Sequence, residues 1–260
     1  MEQKKLIFSY KLRISYQGTN YSGWQFQTHN ENTVQSAINR TLQKILKTNS
    51  IKTIAVSRTD TGVHAQGQAV KLETNVDVSP NQLLDRLNYN LPDDIKVINI
   101  ERVNNSYNIH NNIVSKEYNY ILCKRDQSNA YVNNLSHIID YEINLNHFQE
   151  ICSIFEGKHD FSAFCVDGGR NSNKIRTIEK CCIYKKDISP LAREVYFIQI
   201  ISNGFLKYMV RRIVASILNV YTKKLNISEI QKSLKTGSEL SISNKSPSKG
   251  LHLIEIKYND

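Results

Sequence analysis

Apolar and polar positions alternate early in the chain. Tyr10, Leu12, Ile14 and Tyr16 are separated by Lys11, Arg13 and Ser15, the period-two pattern of a strand with one buried face. At Thr33 the period changes. Val34, Ile38, Leu42, Ile45 and Leu46 recur at helical spacing, which predicts a helix capped by the Thr33 hydroxyl. The apolar run Ile51 to Val56 predicts a strand, Ser57 to Ala65 a loop, and Val70 and Leu72 belong to the next strand. Ser79-Pro80 supplies a cap followed by proline at the first helical position. Leu83, Leu84 and Leu87 form that helix's inner face, and Ile95 to Ile100 returns as a strand. The order is βαββαβ, a split, ferredoxin-like pattern.

The second half repeats the theme. Tyr118, Tyr120 and Leu122 alternate as a strand, while Leu145, Phe148, Ile151 and Phe155 share one helical stripe. Thr177 to Tyr184 and Val195 to Ile201 read as strands. Phe205 to Tyr221 reads as a helix with Met209, Ile213, Ile217 and Val220 on one face, and Ile227 to Leu234 as a shorter one. Ser238 to Ser248 is a polar, serine-rich loop, and Leu251 to Tyr258 a final strand. The expected fold is α+β: two ferredoxin-like halves, residues 1–105 and 106–260, forming a mixed, mostly antiparallel sheet with a central basic cleft.

Composition narrows the function classes. Apolar residues make up 40% and charged residues 22%, as in ordinary globular proteins. No run of eighteen apolar residues occurs, so no membrane span is expected. The first five residues, Met1-Glu-Gln-Lys-Lys, lack the apolar centre of a signal peptide, and a cytoplasmic protein is expected. Five cysteines, without a CxxC spacing, suggest neither a disulfide framework nor a zinc site. The net charge is +10. Residues 1–105 carry 13 basic and 9 acidic residues, and residues 106–260 carry 21 and 15, so both halves are basic. A polyanion touching both halves fits that distribution.

The segment richest in chemistry is Arg58-Thr59-Asp60-Thr61-Gly62-Val63-His64-Ala65. It follows a strand, where loops commonly carry catalytic groups. Asp60, two residues before a glycine, fits an Asx-turn closing on its own backbone. It also fits a nucleophile, because aspartate is ionised at neutral pH without a separate base, and Arg58 can hold it so.

Arg58 to Ala65 resembles the signature of the TruA family of pseudouridine synthases. Other segments resemble that family in the same order: Tyr16-Gln17-Gly18 with Tyr21-Ser22-Gly23-Trp24-Gln25-Phe26-Gln27, Thr33-Val34-Gln35, Asn88 to Ile95, Lys116-Glu117-Tyr118-Asn119-Tyr120, Gly157 to Phe164, Gly204 to Val214, and Pro247 to Leu253. The resemblance spans Tyr10 to Tyr258. It implies isomerisation of uridine to pseudouridine in the anticodon stem-loop of tRNA (positions 38–40), by a homodimer and with no cofactor or metal. It implies Asp60 as the nucleophile, attacking either the ribose C1′ or the pyrimidine C6. Arg58 would orient Asp60 and fill the gap left by the flipped base. Tyr118 would stack on the uracil, Arg211 would lie near the reacting base, and Leu251 would wall the pocket. Gly23, Trp24 and Gln25 would shape an RNA-facing loop, and His64 would contact substrate.

Without that resemblance, Tyr118 and Leu251 are also plain strand packing, Trp24 simple core, Arg58 a surface ion pair and Arg211 a solvated helix face. The chain departs from the family where Gln17 replaces a usual aspartate and Tyr107-Asn108-Ile109-His110 replaces Phe-His-Ala-Arg. A lost arginine removes one phosphate or base contact. Two alternatives therefore stand: a paralogue acting on another RNA such as rRNA, and a non-catalytic RNA-binding protein on the same scaffold. An aspartate-nucleophile hydrolase would need an acidic metal cluster, which the sequence does not place near Asp60.

Overall fold

The computed structural model describes residues 8–166, 173–241 and 244–259. The N-terminal pentapeptide and two positions of the serine-rich loop, 242 and 243, lie outside the described residues. The chain sorts into two units. One runs to Ile113 and takes back the residues from Leu253 onward; the other is Val114–His252.

In the first unit, β1 (Phe8–Tyr16), α1 (Val34–Leu46), β2 (Ile51–Ala55), β3 (His64–Thr74), α2 (Pro80–Asn90) and β4 (Ile95–Val103) follow the expected order. The sheet runs β4-β1-β3-β2, with every pair antiparallel. Leu12 lies opposite Val70 on one side and Ile100 on the other. Tyr10, Leu12, Ile14, Val70 and Leu72 are fully buried, each worth about 1.5–3 kcal/mol against exposure for an aliphatic side chain. All five predicted inner-face residues of α1 are buried, and Thr33 accepts from the Ser36 amide at 3.2 Å. In α2, Leu83 and Leu87 are buried, whereas Leu84 sits at the margin. The β1–β3 ladder shifts register between Ile14 and Tyr16, a bulge at the end of the strand that leads into the first functional loop.

The second unit contains β5 (Ile113–Lys124), β6 (His137–Ile139), α3 (Leu145–Ser153), β7 (Gly157–Asp160), β8 (Ile175–Lys186), β9 (Val195–Ser202), α4 (Met209–Tyr221) and α5 (Ile227–Thr236). Its strands run β5-β9-β8-β7, all antiparallel, with β6 joined to β5 in parallel. The last strand, β10 (Leu251–Tyr258), starts in this unit and ends in the first. Phe155, Phe161 and Phe164 are fully buried, with the Phe164 ring centroid 5.5 Å from that of Phe155 and 5.9 Å from that of Phe161.

Several boundaries differ from the sequence expectation. The turn at 107–112 is tied to the chain's end: Tyr258 Oη donates to the Ile109 carbonyl at 3.1 Å and the Asn259 amide to the Asn112 carbonyl at 2.8 Å. Helix α4 begins at Met209, not Phe205, because Tyr208 takes a left-handed φ of 64°. Helix α3 stops before Phe155, which turns in to the aromatic core instead. Strands β6 and β7 are too short to show an alternation. All five cysteines are free thiols. Among the described residues no helix is long and apolar enough to cross a membrane.

Replacing Thr33 by alanine removes the α1 cap and strands a buried amide, so urea denaturation should show a loss of about 1–2 kcal/mol, largely restored by Thr33→Ser.

Candidate functional site

The loop between β2 and β3 is held residue by residue. The Ser57 amide donates to Gln68 Oε1 at 3.2 Å, and Gln68 Nε2 donates back to the Ser57 carbonyl at 2.6 Å. Thr59 is anchored through its hydroxyl to Tyr16 Oη at 2.7 Å and through its carbonyl, which accepts from the Trp24 amide at 3.1 Å. Asp60 opens a tight turn. Its carbonyl accepts from the Val63 amide at 3.1 Å, and Gly62 has the positive φ, 76°, that the third position of a type II turn demands. Asp60 is half-buried, while Arg58 and Thr61 on either side are exposed.

A second loop, between β1 and α1, lies directly on this one. The Gly62 amide donates to the Tyr21 carbonyl at 3.2 Å. The Gly18 amide donates to His64 Nδ1 at 3.2 Å, so a neutral His64 carries its proton on Nε2. Both glycines are required by space. A Cβ on Gly18 would stand 1.9 Å from the Val63 carbonyl oxygen, and one on Gly23 would stand 2.7 Å from that of Thr59 and 3.1 Å from the Asp60 carbonyl carbon. Gly23 also has φ +91°, open only to glycine at little cost. Trp24 is 1% exposed and packs on Tyr16 with centroids 6.0 Å apart. It lies beneath the loop rather than on an outer face. Gln25 is exposed and donates to Gln35 Oε1 at 2.8 Å, tying the loop to the first turn of α1. Tyr21 Oη donates to Asp94 at 2.6 Å, and burial with that bond pushes its hydroxyl well above the usual range.

In the second unit Tyr118, on β5 opposite Ile200, meets Phe205 edge-on at 5.1 Å and 88°. Arg211 on α4 donates from Nε to the Ser246 carbonyl at 2.8 Å, while its own carbonyl accepts from the Ser246 amide at 3.1 Å and hydroxyl at 3.0 Å. Leu251 is buried just past that segment. The segment itself leans on Tyr120, whose hydroxyl donates to the Pro247 carbonyl at 3.0 Å and whose ring lies 2.7 Å from where a Gly250 Cβ would be. Gly23, Trp24, Gln25, Arg58, Asp60 and His64 thus gather in one unit, and Arg211 and Leu251 attach to one segment of the other.

Two supporting residues were not singled out from the sequence. Gln68 clasps Ser57, and Arg212 donates through Nη1 to the Ala163 and Cys165 carbonyls at 3.1 and 2.9 Å. Gln68 is fully buried, and a buried amide requires a specific partner, but β3 is mostly polar in sequence and gives no mark of it.

A protein-family model described as tRNA pseudouridine synthase matches residues 13–110 and 151–259. The chain belongs to the TruA family of tRNA pseudouridine synthases. It is 34% identical over 257 residues to tRNA pseudouridine synthase A 2 of Desulfotalea psychrophila, covering 95% of this chain and 98% of that protein. It is equally 34% identical to tRNA pseudouridine synthase A of Thermoanaerobacter sp. over 245 residues (94% and 97%) and of Thermodesulfovibrio yellowstonii over 257 residues (95% and 98%). In shape, a chain of the archaeal box H/ACA Nop10–Cbf5 complex covers 94% of this chain and 46% of its own at a TM-score of 0.32 and 13% identity, too slight a likeness to bear on fold or function. The family-model match takes in Arg58, Asp60, Arg211 and Leu251, whereas Tyr118 falls in the interval it passes over.

Two residues before Tyr118, hence on the same strand face, stands Lys116. Burial pushes its ammonium down to about 8.

A lysine whose folded pKa lies below its unfolded value of about 10.4 makes stability rise with pH between the two, because only the unfolded chain then holds the proton. Chemical denaturation from pH 7 to 10.5 should show that rise, up to about 1 kcal/mol per pH unit, in the wild type relative to Lys116→Met; parallel profiles would refute it. Gly23→Ala should push the Thr59 and Asp60 backbone outward, costing about 1–3 kcal/mol and raising hydrogen exchange at the Val63 amide, which bonds to Asp60.

Proposed function

We propose that the protein isomerises uridine to pseudouridine in the anticodon stem-loop of tRNA, on its 3′ side at positions 38–40. The N1–C1′ bond breaks, the base turns, C5 joins C1′, and the proton lost from C5 is balanced by one gained at N1. The observation that carries this reading is the fixed Asp60 turn. It is clamped backbone to backbone by Tyr21–Trp24, with Asp60 half-buried between exposed Arg58 and Thr61. A carboxylate held in one place can attack without rearrangement, which is where orientation lowers a barrier.

Asp60 serves as the nucleophile, toward C1′ or C6. Arg58, exposed beside it, orients the carboxylate and occupies the place the flipped uridine leaves. Flipping costs a few kcal/mol, offset by phosphate contacts on a protein of charge +10. Tyr118 stacks on the uracil from its edge-on seat against Phe205, Arg211 sits near the reacting base, and Leu251 walls the pocket. His64 and Gly23 act through the loop they brace, Trp24 from beneath it, and Gln25 on its exposed side. The βαββαβ order with strands β4-β1-β3-β2 supports a ferredoxin-like first half; a second such half, a basic cleft, a homodimer and a cytoplasmic setting complete the reading. Relatives named tRNA pseudouridine synthase A along nearly their whole length support tRNA over other substrates.

A second reading, action on another RNA, rests on Gln17 and His110. Both are exposed, and the turn 107–110 is closed by Asn108 Oδ1 accepting from the His110 amide at 3.0 Å. The deciding assay is tritium release from tRNA transcripts labelled as [5-³H]uridine. Wild type should release tritium, and Asp60→Ala should fall at least about a thousandfold while still binding tRNA. Release from rRNA transcripts alone would favour the second reading, and release from neither would leave the non-catalytic alternative.

A further inference from the structure

Tyr208, at the turn into α4, is ringed by cations from two separate segments. Lys245 Nζ stands 4.0 Å from the ring centroid, Lys207 Nζ 5.2 Å and the Arg211 guanidinium 5.9 Å. Lys207 and Lys245 are both exposed. Among the described residues neither has a carboxylate partner. This is unlike Lys71, Lys124 and Lys185, each held to a glutamate. Three like charges around one ring repel one another. A ring face offsets part of that through its quadrupole, but does not neutralise it. What the two lysines lack is an anion.

The cluster is also held in place. Arg211 and Lys245 come together because the Ser246 backbone and hydroxyl bond Arg211 from both sides at 2.8 to 3.1 Å. Tyr208 keeps a left-handed φ of 64°, uncommon for a bulky side chain, where the chain turns into the helix. Residues in such conformations persist when their surroundings over-determine them and gather at functional positions.

We propose that Lys207, Tyr208 and Lys245 form a seat for a backbone phosphate of the RNA substrate, with Tyr208 aligning the two ammonium groups. The ligand class is a phosphodiester, bound without regard to base. Lys207 and Tyr208 immediately precede α4, whose first turn carries Arg211, so the seat fixes the register of the RNA strand whose uridine reacts. The inference rests on the RNA-modifying reading of this protein, but its own readout is binding.

The test measures tRNA affinity across a salt series for wild type, for Lys207→Gln/Lys245→Gln, and for Lys44→Gln/Lys232→Gln, a control that removes the same charge from exposed positions on α1 and α5. Loss of one phosphate contact should lower the slope of log K against log salt by about 0.7–0.9 and weaken binding about five- to eightfold at 0.1 M salt. The cluster variant should show at least one such step and the control much less. Tyr208→Phe should bind as wild type and Tyr208→Leu more weakly. A cluster variant that loses no more than the control overturns the proposal. Equal, equally salt-dependent binding of poly-glutamate, lost in the same variant, overturns the assignment to RNA. If wild type binds tRNA but releases no tritium, the catalytic reading fails while the salt slopes still decide the seat.

Discussion

The first unit depends on two stretches of backbone lying in direct contact. The loop after β1 and the loop after β2 touch without intervening side chains, and Gly18 and Gly23 are the positions where any Cβ would collide with carbonyl groups of the Asp60 loop. Hydrogen bonds then run across the seam, from the Trp24 amide to Thr59 and from the Gly62 amide to Tyr21. A loop braced on one side only would sample several conformations. Bracing from a neighbouring loop removes that freedom before any substrate arrives, and preorganisation of this kind is what a nucleophile without a separate base requires.

The second unit solves a similar problem with a side chain. Tyr120, fully buried on β5, stands as a post. Gly250 lies flat on its ring and Pro247 accepts from its hydroxyl, so the segment leading to Leu251 cannot lift away without breaking both contacts. Ser246 in the same segment closes on Arg211. His137, whose Nδ1 lies 3.1 Å from the same hydroxyl, has its imidazolium form disfavoured by burial and then by nearby Lys249. The hydroxyl therefore meets a neutral ring. In the first unit Arg58 and Asp60 sit on irregular chain fastened to a regular sheet, the usual division between scaffold and chemistry; in the second, Tyr118, Arg211 and Leu251 sit on β5, α4 and β10, and the fastened segment is the one leading into β10.

How much of this was legible in the sequence follows from which interactions are periodic. Strands β1 and β4 and helices α1 and α2 announce themselves because burial repeats every two or every three to four residues, and their caps, Thr33 and Ser79, are local side-chain chemistry. The start of α4 was misplaced because Phe205 continues an apolar pattern while Tyr208 breaks the backbone; a left-handed tyrosine leaves no mark in hydropathy. The return of the chain's end to bond residues 109 and 112 is equally silent in the pattern, being a contact of high sequence separation. In the candidate site, Asp60 and Arg58 could be singled out by resemblance, and by the glycine that follows. The roles of Gln68, Tyr21 and Arg212 could not, since each is a pairing between distant segments rather than a pattern within one.

The distribution of charge completes the argument. A surplus of +10 spread along the chain says only that a polyanion suits the surface. Some of the basic side chains are locally paired with carboxylates, as at Lys11–Glu101, Lys52–Glu73 and Arg125–Asp140. Paired charges on an exposed surface add little to stability and steer ligands weakly. The useful part of the field therefore comes from cations left without such partners and held close together by the fold. Lys207 and Lys245 around Tyr208 meet that description. Their position beside Arg211 places attraction for phosphate next to a residue expected at the reacting base, so binding energy gained from the backbone of the RNA can be spent on turning one uridine out of its stack.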